Sequence, residues 1–368
     1  MLDPIIDFVT RIFQLFGHGV GLVIAWLLWP FLTVRRWYRN QKWLIRGPLL
    51  IVFLGLAVSY SYFIYNTQVW TGFDPDYVEK YNLEERKVAP GDKLVAEGGD
   101  KCAISAIVEV TADLVDFNVN ENKWIPSSLL SKLGLFGMGW KYTPFMDNKA
   151  AFQLGINRAV RRTSIELVDK IARVRGTSQI DQNLQDARSD IHYDEDAWYV
   201  GKGGLQQPAP RKFRSALKNF RKFNERLGRC DATMDARADN LLEFIDTIAS
   251  DIGSTSDLLR SRMEASDAGW FDTRADDRFW FAYGQLYAYD GIVQAMHSDF
   301  GVVFSERALQ KTWQKTKSQL RSALNVQPFM ISNGSESAFI MPSHLATIGV
   351  YLHGVRANLV EIRDVLKR

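Results

Sequence analysis

The chain has 368 residues, 45 basic against 42 acidic side chains and two cysteines, Cys102 and Cys230. That length can bury a substantial core, and so few cysteines exclude a cysteine-rich metal site or a multi-disulfide framework. The net charge of +3 misleads: six basic and two acidic residues fall in the first 46, leaving 39 against 40 beyond, which argues against nucleic acid as a partner.

Two uncharged apolar segments, at 12–34 and 47–66, dominate the N-terminal region. Each approaches the roughly 20 residues that cross a bilayer. Between them lie Arg35, Arg36, Arg39, Lys42 and Arg46 with no acid, so the positive-inside bias puts this connector in the cytoplasm and the rest of the chain outside it. In a Gram-negative cell that side is the periplasm. Trp37, Tyr38 and Trp43 on one side, and Tyr60, Tyr62, Tyr65 and Trp70 on the other, read as interfacial aromatics. Gly17 with Gly21, and Gly55 with Ser59, suit close helix packing, within one hairpin or between copies. Gly17, Gly19, Gly21 and Pro30 leave a re-entrant first segment open. The anchor is thus 1–73.

Residues 74–99 are polar and read as a linker; 100–368 read as a helical extracytoplasmic domain. Lys101 to Phe117 has a helical period, and Trp124 to Tyr142, rich in Gly and Ser, reads as an irregular excursion against the bundle or the membrane surface. Helices are predicted over Lys149–Val174 and Ile180–Ile191, followed by a Gly- and Pro-rich sub-boundary at 198–210. A basic helix, Arg211–Leu227, and one from Asp231 to Met263 with acids at Asp231, Asp235, Asp239 and Glu243 suggest a charge-paired antiparallel hairpin. Phe279–Phe300 is apolar nearly all round, the pattern of a central helix. Ser305 suits a cap for a helix to Leu324, and Asn333-Gly334 is a β-hairpin signal. After Pro342, Ser343 caps a last helix whose stripe of Leu345, Ile348, Leu352, Val355, Leu359, Ile362 and Leu366 is a bundle-packing face or a coiled-coil seam. The expected fold is all-α: an N-terminal transmembrane hairpin followed by an elongated helical bundle with a small β-hairpin.

No P-loop, dinucleotide fingerprint, nucleophile elbow or HExxH occurs, and the five histidines form no ligand set. No catalytic residue, cofactor or metal is therefore expected. Two groups remain. Cys102 and Cys230 permit one disulfide in an oxidising compartment, or are two separate buried thiols. Trp270, Asp272, Asp276, Asp277, Trp280 and Tyr283 combine aromatic walls with carboxylates, as glycan sites do, although core packing and capping account for the same residues.

Four strings, Phe152-Gln153-Leu154-Gly155, Arg175 to Asp181, Gly269 to Asp277 and Asn333 to Leu345, resemble a family of bacterial inner-membrane proteins catalogued only as a domain of unknown function. The resemblance implies a membrane-anchored helical domain outside the cytoplasm and carries over no catalytic residue. The apolar run before Arg35 departs from the single anchor associated with that family. The expected function is an interaction or scaffold protein of the envelope. Its expected partners are the lipid bilayer, an envelope protein and, through the membrane helices or the C-terminal heptads, a second copy. The alternative is a glycan-binding or glycan-cleaving protein.

Overall fold

The computed structural model describes residues 25–368 apart from positions 27, 31, 95–100, 136, 144, 174–179, 202, 266–271, 273 and 335–341. The first apolar segment therefore lies largely outside the described residues. The chain divides into two compact units, Met1–Tyr62 and Phe63–Arg368.

In the first unit, residues 32–40 are helical and the basic connector narrows to a break at Gln41 and Lys42. Arg46 Nε donates to Tyr38 O (2.8 Å) and Tyr38 OH to Arg46 O (3.2 Å), closing that break. Helix α1, Trp43–Gln68, follows. At 1.5 Å per residue it is about 39 Å long. Among the described residues it is the one helix long and apolar enough to cross a membrane, and almost none of it is buried.

The second unit is all-α. Helices α2 (Ala106–Asp116) and α4 (Asn148–Glu166) each end in a π-type turn, and a short α3 (Leu129–Leu133) lies between them. Then come α5 (Gln182–Ile191), α6 (Ala209–Gly228), α7 (Ala238–Ala265), α8 (Ala275–Asp299), α9 (Gly301–Glu306), α10 (Gln310–Leu324) and α11 (His344–Leu366). Helix α8 is the hub, packing on α2, α4, α7, α10 and α11. Its buried Phe279, Tyr283, Tyr287, Tyr289, Ile292 and Met296 point in all directions, as a helix without a polar face must. At its end, Asp299 caps α2 across the fold, accepting from Ser105 Oγ (2.6 Å), Ala106 N (2.9 Å) and Ile107 N (3.0 Å).

Several expectations are corrected. The stretch read as a linker carries the buried side chains of Tyr77, Val78 and Tyr81, and Tyr77 OH donates to Tyr287 O (3.0 Å). Basic α6 does not pair with α7: it packs on α5 and α2, where Arg221 meets Asp113 and Asp116, and Arg226 meets Asp181. Helix α7 begins only at Ala238, so Asp231 and Asp235 are not on it. The helix predicted from Ser305 breaks instead, with Ala308 left-handed at φ 52°. The two-stranded hairpin is β1 (Val200–Gly201) with β2 (Gly204–Leu205), inside the glycine-rich loop. At Asn333 there is an isolated bridge to Ser343; residues 335–341 lie outside the description. Helix α11 starts as expected, with Ser343 Oγ accepting from Ala346 N. Its whole apolar stripe is buried within the body.

Cys102 and Cys230 form a disulfide with Cα atoms 5.3 Å apart, closing a separation of 128 residues. Cys102 N also donates to Gly228 O (2.9 Å). Cross-linking so long a loop constrains the unfolded chain, so Cys102→Ser should cost about 3–5 kcal/mol, read as a lower urea midpoint that reductant reproduces in the parent protein.

Candidate functional site

Helices α4 and α8 run in the same direction, so their N-termini lie together. Asp147 immediately precedes α4; Asp276 and Asp277 occupy the first turn of α8. The positive ends of both helices thus face three carboxyl groups, the arrangement that helix dipoles favour. Asp276 does not cap α8 as predicted: Arg274 holds that position. With its amide oriented to satisfy both neighbours, Asn148 donates to Asp276 Oδ2 and accepts from Trp280 Nε1, each at 3.2 Å.

Burial, then the charge of Asp277, pushes the Asp276 carboxyl up to about 7. Burial, then the charges of Asp277 and Asp276, raises Asp147 further, and it shares a hydrogen bond with Asp277. Asp147 and Asp277 are in hydrogen-bond contact, closer than the roughly 5 Å or more between the paired carboxyls of glycoside cleavage, so these two acids are not such a pair.

The other residues of the glycan reading divide. Asp272 is buried and committed: Arg262 Nε reaches both its oxygens (2.9 and 3.0 Å), and Asn333 Nδ2 donates to Oδ2 (2.7 Å). Burial alone would raise this carboxyl, but the bonds from Arg262 and Asn333 hold it below the ordinary range. Tyr283 is fully buried, with its hydroxyl donating to Leu324 O (2.7 Å) and accepting from Gln327 Nε2 (3.0 Å). Trp270 lies outside the described residues. Asp276, Asp277 and Trp280 do come together.

Beside them is a cleft of about 580 Å³ walled by Trp70, Phe73, Phe145, Trp280 and Phe329, with the amides of Gln68, Asn148 and Gln327 at its edge. Trp70, read from sequence as a membrane-interface residue, packs with its ring centroid 4.8 Å from Phe152, tilted, and 5.0 Å from Trp280, edge to face. Sequence reasoning missed Asp147, Asn148 and the walls from 67–73 and 327–329. Local patterns cannot join segments that far apart. Among the described residues, no group of three or more His, Cys, Asp or Glu is placed to hold a metal ion.

The acids set a pH dependence. Asp276 is about 7 folded against 3.8 for an ordinary aspartate, so the folded state binds more protons between those values. Its stabilising contribution is complete below 3.8 and is lost as pH rises through 7. Asp276→Asn should therefore raise stability at pH 8 by on the order of 1–3 kcal/mol, with no gain at pH 4, measured by calorimetry at both.

The chain combines an all-helical body with one helix long and apolar enough to cross a membrane. The family described as an uncharacterized protein conserved in bacteria (DUF2333) matches residues 119–268 and 261–368, and the chain belongs to it. No curated protein and no solved structure matches.

Proposed function

We propose that this protein is an interaction or scaffold protein of the bacterial envelope, anchored in the inner membrane by Trp43–Gln68 with its helical body on the periplasmic side. The observation that carries this reading is the β1–β2 hairpin, which presents Tyr199, Val200 and Leu205 to solvent, Leu205 at 90% exposure, while the acids of the helix-terminus cluster bond to one another and to the scaffold. Apolar side chains on a protruding hairpin suit a protein partner. The basic residues before α1 and the Cys102–Cys230 bridge support the extracytoplasmic placement. The partners in this reading are the bilayer and another envelope protein. A photo-crosslinking residue at Leu205 in intact cells should give a discrete protein adduct; absence of any adduct there would sink the scaffold reading. Phosphatase fused after Arg368 should be active, and a cytoplasm-dependent fluorophore there should be dark.

The aromatic cleft favours a second reading, glycan binding, since indole and phenyl faces with edge amides are the chemistry that holds sugar rings. Loss of binding to purified cell-wall polymer in Trp280→Ala, with folding retained, supports it. No binding by the parent protein ends it.

A further inference from the structure

We propose that the excursion 129–146 and the loop carrying Phe329 form a seat that enters the headgroup region of the outer-facing leaflet where α1 leaves the bilayer. This rests on the reading of Trp43–Gln68 as a membrane span. The last apolar turn of α1 ends at Tyr65, and the polar run Asn66, Thr67, Gln68 follows. Phe63 is three residues before Asn66, about 4.5 Å along the axis, within the several-ångström interfacial layer. Trp140 packs on Phe63 with ring centroids 5.1 Å apart, so the excursion is held at the depth where Trp and Tyr collect.

One further contact ties the excursion to the end of α1, and two more close that end onto α4. Gln68 Nε2 donates to Phe145 O (2.9 Å), and Lys149 Nζ donates to Asn66 O (2.9 Å) and Val69 O (2.6 Å), closing the end of α1. Phe145 in turn lies 6.2 Å from Phe329, bringing the second loop to the same level. Around these ties, Leu129, Leu133, Met138, Tyr142, Phe329 and Met330 are exposed, Phe329 at 93%. Composition matches the occupant. Residues 124–146 contain Lys132 and Lys141 and no acid, and 326–334 contain no charge at all. Apolar and aromatic side chains with a few cations suit a leaflet of zwitterionic and anionic lipid. The hairpin at Tyr199–Leu205 is as apolar and as exposed but has no tie to α1 among the described residues, which makes it the internal control.

The test uses the full chain in vesicles of phosphatidylethanolamine and phosphatidylglycerol doped with a phospholipid carrying a photoactivatable group at the headgroup end of one acyl chain. After illumination, labelled peptides are mapped by mass spectrometry. Labelling is expected in α1, in 129–145 and at Phe329, with none at the hairpin. Leu133→Glu combined with Phe329→Glu, both exposed and so compatible with folding, should lose the label from the two loops and keep it in α1. Label in α1 with the loops at the hairpin's background overturns the seat and leaves the span standing. An unlabelled α1 overturns the span, and the seat with it.

Discussion

Replacing Gly284 with alanine should destabilise the body by on the order of 3 kcal/mol or more, read as a fall in the urea midpoint. A β-carbon there would sit 2.1 Å from Phe152 O, and one on Gly155 would sit 2.1 Å from Phe281 O and 2.8 Å from Gln285 N. These neighbours are backbone atoms of the facing helix, so relief requires α4 and α8 to move apart. Alanine normally favours a helix over glycine by about 1 kcal/mol, and the clash outweighs that gain. The two substitutions share one remedy, so the cost of Gly155→Ala with Gly284→Ala should fall short of the sum of the single costs. Gly349 on α11 has open space around it, and Gly349→Ala should be neutral or mildly stabilising.

That crossing shows what was legible in the sequence. Phe152-Gln153-Leu154-Gly155 stands out as a string, but nothing local says that Gly155 and Gly284 face each other. The central helix and the buried stripe of α11 were readable, because one follows from apolar residues on every face and the other from a three-and-four repeat. Charge misled where its partner was remote. The arginines of α6 and the acids after Gly228 are close in sequence, yet Arg221 finds Asp113 and Asp116 more than a hundred positions earlier. The Gly269–Asp277 and Asn333–Leu345 strings meet through the Asp272–Asn333 bond, which gives two separate motifs one structural reason. In the glycan reading, the order of residues along the chain could not tell half-buried Trp280, which lines the cleft, from fully buried Tyr283 on the same helix.

Asp251 is the residue whose removal should cost most among the polar side chains, and it drew no attention in the sequence because it lies past the acidic column of α7. Its side chain is almost wholly buried. Oδ1 accepts from Arg158 Nε (2.7 Å) and Arg162 Nε (3.3 Å) on α4; Oδ2 accepts from Gln285 Nε2 (2.6 Å) and Tyr289 OH (2.9 Å) on α8. One carboxylate therefore joins three helices around the glycine crossing. Both arginines are more than a third exposed and can turn to water, whereas Gln285 and Tyr289 are sealed in. Asp251→Ala strands those two donors and opens a gap, for an expected loss of about 3–5 kcal/mol in chemical denaturation. Arg162→Ala, removing the longer bond from an exposed partner, should cost under about 1 kcal/mol. Equal losses in the two variants would mean that the arginines, and not the buried donors, hold the network, and that the three helices are joined from the surface inward.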